Sequence, residues 1–281
     1  MDGILLINKE IGVTSRDVVN KLMKKFNTKK MGHTGTLDPF ASGLMIVSIN
    51  KGTKISQFME NLSKEYIARV VLGSDTDTLD LDGSVINSKE MEEPLDKNKL
   101  LEVISHYIGN VSQIPPMYSA LKVNGVPLYK MARNGEEIER KARDITIDNI
   151  ELLSMDKNSF IIDVNCSKGT YIRTLGVDIA HEYGYPGHLE LLTRTRVGKY
   201  LLKNAKTVEE VTENDIISIS DALSHIPSVI VEGENEKKVR NGVALRLSNN
   251  PLIVVKTKKD EVLAIYQISE DGKHHCLRGL L

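Results

Sequence analysis

The chain contains no tryptophan, only two cysteines and eight prolines, and no apolar run long enough to cross a bilayer. A membrane-spanning helix requires about 20 mostly apolar residues, whereas the first apolar run, residues 4–7, is followed at once by Asn8 and Lys9. That run is also too short for the core of a signal peptide. Cys166 and Cys276 are 110 positions apart, which is typical of reduced, incidental thiols. We therefore expect a cytoplasmic protein without a membrane segment.

Motifs for phosphate, dinucleotide or metal binding are missing as well. The chain has no P-loop, no glycine fingerprint for a dinucleotide and no GxSxG elbow. Residues 75–83, DTDTLDLDG, suggest a calcium loop, but an EF-hand aligned on Gly83 would begin at Thr78 and end at Lys89. Residues 274–276, HHC, lack a fourth ligand at zinc spacing. The sequence therefore predicts neither a metal nor a cofactor.

The net charge of −1 is close to neutral, but the charges are distributed unevenly. Residues 1–55 carry nine Lys and Arg against four Asp and Glu, with five of the lysines inside 21–30. Residues 60–113 carry eleven acids against five bases, and residues 122–143 carry six bases against three acids. This alternation could form one basic surface that binds a phosphate backbone. Ordinary solvated faces explain it too, and charge alone favours that simpler interpretation without excluding the other.

With 281 residues the chain can form one large domain and a smaller one. Apolar periodicity predicts strands at 3–8, 44–49, 66–72, 144–153, 159–166 and 189–202, and helices at 15–26, 96–108 and 170–183, with a further helical stretch towards 226. After Pro227, short β-like runs alternate with turns, which predicts a small all-β domain over 228–281. A domain of this size cannot build a large core, so we expect it to dock on the main domain or on a ligand.

One segment could hold a single carboxylate rigidly. In residues 30–42, KMGHTGTLDPFAS, two glycines permit a sharp turn, and Pro39 restricts Asp38 to extended backbone. A carboxylate on such a stiffened loop, beside His33, is suited to act as an acid or a nucleophile. A plain turn that connects a helix to a strand would have the same residues, so this segment alone does not decide.

A second segment could supply a partner for that carboxylate. Residues 166–174, CSKGTYIRT, place Lys168, Tyr171 and Arg173 at a predicted strand-to-helix junction. An arginine there could pair bidentately with a carboxylate and keep it ionised. The alternative is an arginine and a tyrosine that cover the first turn of an exposed helix.

Taken together, these segments resemble the tRNA pseudouridine synthase B family over nearly the whole chain. The resemblance rests on six segments in family order: GILLINKE, GHTGTLDPFASG, KEYIARVVLGSDTDTLDLDG, PPMYSALKVNGVPLYKMARNGEEIERKAR, CSKGTYIRTLGVDIA and HLELLTRTRVGKY. It implies an α/β (α+β) catalytic domain over 1–227, built on a mixed, mainly antiparallel sheet. It also implies a thumb-like RNA-binding segment at about 113–143 and a PUA-like RNA-binding domain over 228–281.

The function implied by the resemblance is the isomerisation of uridine to pseudouridine at position 55 in the T arm of tRNA. The glycosidic bond would be cleaved, the base rotated, and a bond formed between C5 and C1′. The resemblance implies no cofactor, no metal and no obligate protein partner, and we expect a monomer.

The resemblance also assigns residues to roles. Asp38 matches the catalytic carboxylate, Tyr66 the tyrosine beneath the target base, and Arg173 the arginine that pairs with the carboxylate. His33 matches the histidine associated with the flipped nucleotide, and Leu192 the leucine that lines the base pocket. The other substrate-binding residues that it implies are Tyr171, Lys9, Lys64, Lys122, Lys130 and Arg133. The chain departs from the usual Lys-Pro after the first strand, because Glu10 follows Lys9.

Three other functions are compatible with parts of the sequence. The first is a catalytically idle RNA-binding protein, such as a tRNA folding chaperone; intact Asp38, Tyr66 and Arg173 argue against idleness. The second is a guide-RNA-dependent relative that acts on ribosomal RNA; the short chain without basic tails favours a stand-alone enzyme. The third is a metal-dependent hydrolase, which insensitivity to chelators would exclude.

Overall fold

The computed structural model describes residues 1–280; Leu281, the last residue of the predicted C-terminal domain, lies outside the described residues. The α-helices are α1 (Ser15–Lys25), α2 (Ser56–Glu60), α3 (Lys97–Ser105), α4 (Leu128–Arg133), α5 (Ile172–Tyr183), α6 (Ile219–Ala222) and α7 (Gly233–Arg240). The strands are β1 (Gly3–Lys9), β2 (Met31–His33), β3 (Ser42–Ile49), β4 (Lys64–Leu72), β5 (Ser74–Thr76), β6 (Val85–Ser88), β7 (Gly109–Gln113), β8 (Lys122–Val123), β9 (Val126–Pro127), β10 (Arg143–Met155), β11 (Ser159–Cys166), β12 (Gly187–Val197), β13 (Tyr200–Leu201), β14 (Ile217–Ser218), β15 (Ser228–Ile230), β16 (Leu252–Lys256), β17 (Val262–Ile268) and β18 (His274–Gly279).

The largest sheet has ten strands. Eight of them follow the order β14-β1-β3-β12-β4-β11-β10-β7, while β2 pairs with β3 and β13 with β12. The pairings are antiparallel except where β12 runs parallel to β3, with Thr193 beside Ser42 and Arg194 beside Gly43. A Cβ at Gly43 would lie 2.4 Å from the Arg194 carbonyl oxygen, and φ there is +106°, so this junction requires glycine. The mixed, mainly antiparallel sheet confirms the predicted fold class.

Strand β4 lies near the middle of this sheet. Its side chains alternate strictly between buried and half-buried positions, as expected when successive residues point to opposite faces. The buried face packs against α5 in the largest apolar cluster. A Cβ at Gly176 of α5 would lie 2.3 Å from Cδ1 of Leu189, so this glycine allows the helix to approach the sheet closely. Gly184 caps the C-terminal end of α5, and its φ of +111° is the left-handed conformation typical of such a cap.

Helix α1 covers another part of the sheet. Thr14 and Asp17 form a capping box at its start, since the Thr14 side chain accepts from the Asp17 N–H and the Asp17 carboxylate accepts from the Thr14 N–H. Val18, Val19 and Leu22 form its buried face and pack on β1 and β3. The loop between α1 and β3 therefore starts and ends on well-packed elements.

The C-terminal residues form a separate four-stranded sheet, in the order β15-β16-β17-β18. Val254, Val262, Ile265 and Leu280 join residues of the large sheet, such as Leu44, in one buried cluster. The four-stranded sheet therefore packs against the large sheet.

Several elements differ from the sequence-based expectations. The predicted helical stretch towards residue 226 was wrong, because this segment forms two short 3₁₀ turns, Leu202–Asn204 and Glu213–Asp215, with β14 and the four-residue α6. The C-terminal domain has its predicted sheet but also contains helix α7, whose Val239 packs beneath that sheet. The apolar run 243–247 forms no strand and contributes only a bridge from Leu245 to His274.

Candidate active site

An open cavity of about 450 Å³ lies where the loop between β2 and β3 meets β4, β12 and the start of α5. Seven of the predicted site residues line it: His33, Asp38, Lys64, Tyr66, Tyr171, Arg173 and Leu192. The structure thus brings together residues that are up to 159 positions apart in the chain. Lys9 and the three basic residues predicted on the thumb-like segment lie elsewhere.

Asp38 stands on the loop that leads into β3, with its side chain 33 % exposed. The neighbouring backbone is held from two sides, because the Gly12 N–H donates to the Pro39 carbonyl and the Ala41 N–H donates to the Asp38 carbonyl. The Ser15 hydroxyl donates to the Leu37 carbonyl at 3.0 Å and its oxygen accepts from the Leu37 N–H at 2.9 Å. Asp38 is therefore a rigidly held carboxylate at the edge of the cavity.

Lys9 does not fit the predicted role in substrate binding. Its side chain is fully buried, and its ammonium group donates to the carbonyls of Glu10, Val13 and Ala41 at 2.7–2.8 Å, with Pro39 at 3.4 Å. Burial lowers the pKa of Lys9 to about 8, against the opposing effect of the nearby Asp38 carboxylate. Lys9 therefore ties the end of β1 to the loop that carries the catalytic candidate.

Replacing Lys9 should test this role as a support. In Lys9→Met the carbonyls lose a shared buried donor, and each such unsatisfied group costs about 1–3 kcal/mol. We expect the free energy of unfolding to fall by about 2–4 kcal/mol, measured by urea denaturation, while the RNA dissociation constant stays within about threefold because Lys9 has no exposed surface. Lys203→Met, at an exposed position, is the matched control. An unchanged stability with weakened RNA binding would restore the substrate-contact interpretation.

Arg173 is buried behind Asp38, with 4 % of its side chain exposed. Its Nε lies 2.9 Å from Oδ2 of Asp38. Nη1 donates to the Thr78 carbonyl at 2.6 Å and lies 3.4 Å from Oδ2 of Asp80, and Nη2 donates to the Tyr118 carbonyl at 2.6 Å. The predicted pair is present, but the prediction of bidentate geometry was wrong, because both terminal nitrogens are engaged elsewhere. Arg173 thus holds Asp38 through one nitrogen while being fixed by the others.

Asp80 is a site residue that sequence reasoning missed. It lies within residues 75–83, where the sequence assigned no site residue, and its side chain is 7 % exposed. The Thr78 hydroxyl donates to its Oδ1 at 2.6 Å. Burial raises the pKa of Asp80, and Thr78 and Arg173 act in the opposite direction. Asp80 follows the end of β4 by eight residues in an acid-rich segment, and the sequence alone does not distinguish it from Asp75, Asp77 and Asp82.

Tyr66 and Leu192 form the apolar floor of the cavity, with 9 % and 6 % exposure. They come from the adjacent strands β4 and β12. Burial raises the pKa of the Tyr66 phenol, and the nearby Arg194 guanidinium acts against this rise. Arg194, which follows Leu192 by two residues, is a second site residue that sequence reasoning missed.

His33 and Tyr171 occupy other walls of the cavity. Burial lowers the pKa of His33, with Arg194 and Arg16 acting in the same direction, and its Nδ1 is buried without a partner among residues 1–280. The Tyr171 N–H donates to Oε1 of Gln113 at 2.8 Å, and Nε2 of Gln113 donates to the Tyr171 carbonyl at 3.0 Å. Since α5 begins without a side-chain cap, these two bonds fix the backbone from which Arg173 projects.

Lys64 lies at the rim, where its ammonium group donates to the carbonyls of Glu60 and Leu62. Burial lowers the pKa of Lys64 to about 8, and Arg194 acts in the same direction. Its predicted contact with substrate stays a prediction, since it lines the cavity but is largely covered.

The thumb-like segment contributes Ser119 and Ala120 to the cavity lining, and it carries exposed cations outside the cavity. Lys122 on β8, and Lys130 and Arg133 on α4, are exposed, and Arg133 lies 5.7 Å from the ring centroid of Tyr129. The five lysines of residues 21–30 are exposed as well. These positions are compatible with phosphate contacts, which stay predictions.

The family profile described as "TruB family pseudouridylate synthase (N terminal domain)" matches residues 23–172, more than half of the chain. The tRNA pseudouridine synthase B of Oceanobacillus iheyensis is 44 % identical over an alignment that covers 95 % of this chain and 93 % of that protein. The chain belongs to the TruB family. The tRNA pseudouridine synthase B of Bacillus cereus is 39 % identical over 95 % of this chain and 92 % of its own length. Membership confirms the resemblance drawn from the six sequence segments.

Solved structures share the fold of this TruB-family chain at lower identity. A chain in the structure of an H/ACA RNP bound to a substrate RNA containing 2′-deoxyuridine matches with a TM-score of 0.74 and 22 % identity, covering 99 % of this chain and 85 % of that chain. A chain of a Cbf5-Nop10-Gar1 complex matches with a TM-score of 0.73 and 23 % identity, again over 99 % and 85 %. The chain thus shares its fold with these structures over 99 % of its length. None of the helices in residues 1–280 has the length and apolar character that a membrane crossing requires.

Proposed function

We propose that this chain isomerises uridine to pseudouridine at position 55 in the T arm of tRNA, with Asp38 as the catalytic carboxylate. The observation that carries the proposal is the position of Asp38, which reaches the cavity beside a buried arginine and opposite an apolar floor. The curated relatives are tRNA pseudouridine synthases, which supports tRNA as the substrate.

The chemistry needs only groups that this cavity offers. The N1–C1′ bond of uridine must break, the uracil must turn, and C5 must bond to C1′. A carboxylate can serve either as the nucleophile at C1′ or as the base that removes the C2′ proton. Arg173 would hold Asp38 in position for either route. The reaction requires no external oxidant, reductant or phosphate donor.

The shape of the cavity suits a base that must be released and recaptured. Its volume of about 450 Å³ lies within the range of about 300–1,000 Å³ typical of small-molecule pockets. Tyr66 and Leu192 would contact the faces of the uracil and keep it from escaping while it turns. The target nucleotide must first leave its stack, which costs a few kcal/mol, and the His33 ring could fill the vacated space.

RNA recognition would rely on the exposed cations around the cavity. Lys122, Lys130 and Arg133 on the thumb-like segment would contact phosphates, and such contacts position an RNA without reading its sequence. Lysines within 21–30 would extend this surface. We propose that residues 1–227 form the catalytic domain and that the C-terminal domain over 228–281 binds RNA in the manner of a PUA domain. We further propose that the protein acts in the cytoplasm as a monomer, without a protein partner.

The test is tritium release from unmodified tRNA that carries C5-tritiated uridine, in the presence of EDTA and without any guide RNA. We expect release of one equivalent, because only one T-arm uridine is a substrate, and loss of release when that uridine is replaced by cytidine. Tight binding of tRNA without any release would support an RNA-binding protein. Release that requires a guide RNA would favour the guide-dependent alternative, and metal-dependent cleavage of the RNA without tritium release would favour the hydrolase.

A further inference from the structure

Arg194 is a buried arginine beside the floor of the cavity. It lies on β12 two residues after Leu192 and is the cross-strand neighbour of Tyr66 on β4. Only 3 % of its surface is exposed, yet it lines the cavity. Its cationic group is therefore held in a poorly solvated position next to the proposed base pocket.

The charge of Arg194 has no carboxylate partner within salt-bridge distance among residues 1–280. Its Nε donates to the Leu44 carbonyl at 2.7 Å and its Nη2 to the Gly35 carbonyl at 3.1 Å. By contrast, Arg173 faces two carboxylates. A buried cation is costly unless an opposite charge compensates it. This site thus keeps an uncompensated positive charge where the uracil would lie.

The field of this cation reaches the groups around the cavity. After burial, Arg194 is the strongest influence that lowers the pKa of His33 and of Lys64. It also opposes the rise that burial causes in the pKa of Tyr66. These side chains come from β2 (His33) and β4 (Lys64 and Tyr66), so the positive potential reaches two sides of the cavity.

We propose that Arg194 stabilises the negative charge that develops on the uracil when its glycosidic bond breaks. When the C1′–N1 bond breaks, both electrons stay on N1 and are delocalised onto the two ring carbonyl oxygens. The departure of N1 leaves C1′ electron-deficient. Asp38 relieves this deficiency when it either forms a bond to C1′ or takes the C2′ proton. When C5 then attacks C1′, the Asp38–C1′ bond breaks or the proton returns to C2′, and the base exchanges its C5 proton for one on N1.

The proposal deepens the proposed function, on which it rests. A fixed, dry positive charge stabilises a developing anion more strongly than water does, because no reorientation is needed at the moment of reaction. Removing one such group typically costs about 10²-fold to 10³-fold in kcat. The backbone bonds of Arg194 also suggest a purely structural role, so the experiment must separate charge stabilisation from support of the loop.

The experiment compares wild type, Arg194→Gln and Arg194→Lys on T-arm stem–loop RNAs that carry uridine or 5-fluorouridine at the target position. Fluorine withdraws electrons and stabilises the uracil anion by itself, so the fluorinated base depends less on the protein. Disappearance of the starting nucleoside is measured under single-turnover conditions, after nuclease digestion and chromatography. Thermal midpoints and RNA dissociation constants are measured on the same samples.

We expect Arg194→Gln to slow the uridine reaction by about 10²-fold or more. The loss of rate on the 5-fluorouridine RNA should be smaller than the loss on the uridine RNA by a factor of at least about five. Arg194→Lys, which keeps the charge, should retain the wild-type ratio of the two rates. An equal loss on both RNAs in Arg194→Gln would overturn the proposal. If that variant does not fold, Arg194→Lys decides: a uridine rate within about 30-fold of wild type supports charge stabilisation, and a greater loss overturns it. Inactivity of the wild type on uridine would instead reject the proposed function itself.

Discussion

Asp38→Asn should abolish turnover on tRNA while leaving its affinity for tRNA within about threefold. The amide has nearly the shape of the carboxylate but can neither attack C1′ nor accept the C2′ proton. We expect the single-turnover rate to fall by at least about 10³-fold, as when an essential nucleophile or base is removed. The fold should persist, because Arg173 keeps Asp80 and two backbone carbonyls as partners. Rates come from tritium release and affinities from filter binding.

A matched control is available in the same region. Asp82→Asn removes an exposed carboxylate close in sequence to the buried Asp80, and it should leave both rate and affinity near wild type. Asp38→Asn with a parallel loss of rate and affinity would show a structural role for the carboxylate. Normal turnover in Asp38→Asn would remove Asp38 from the mechanism altogether.

The sequence predicted most of the fold because its local signals agree with its tertiary structure. The capping box of Thr14 and Asp17, the alternation along β4 and the glycine after α5 are each satisfied in the structure. The segment towards residue 226 was predicted wrongly because its polar residues have helical propensity but no apolar face wide enough to pack. Helix α7 was missed because it is short and highly charged, with Val239 as its single buried residue.

The candidate site was predictable where one motif placed a residue on a distinctive turn, as for Asp38. It was not predictable where function depends on which side chains the sheet brings together. Lys9 appeared to be available for substrate, yet four carbonyls from two segments surround it. Arg194 is one of two arginines on β12, and only the structure distinguishes it from Arg196, which forms an ion pair with Glu65.

Substitution of Arg173 is the second prediction with a large expected effect, because Arg173 connects Asp38 to the buried Asp80. Arg173→Met should destroy turnover and also destabilise the fold, since Asp80 would be left as an unpaired buried carboxylate. Breaking a buried pair in this way costs about 3–5 kcal/mol. Arg173→Lys keeps the charge but cannot reach Asp38 and the Thr78 and Tyr118 carbonyls from one planar group, so we expect turnover to fall about 10²-fold or more.

A double substitution separates the two roles of Arg173. Adding Asp80→Asn to Arg173→Met removes the unpaired buried charge, so part of the lost stability should return, measured as a higher urea midpoint than in the single variant. Turnover should not return, because Asp38 still lacks the guanidinium 2.9 Å away that holds it. Recovery of turnover together with stability would mean that Arg173 acts only by supporting the fold. Recovery of stability alone would show that the arginine is needed by Asp38 itself, for positioning or for charge, beyond its contribution to folding.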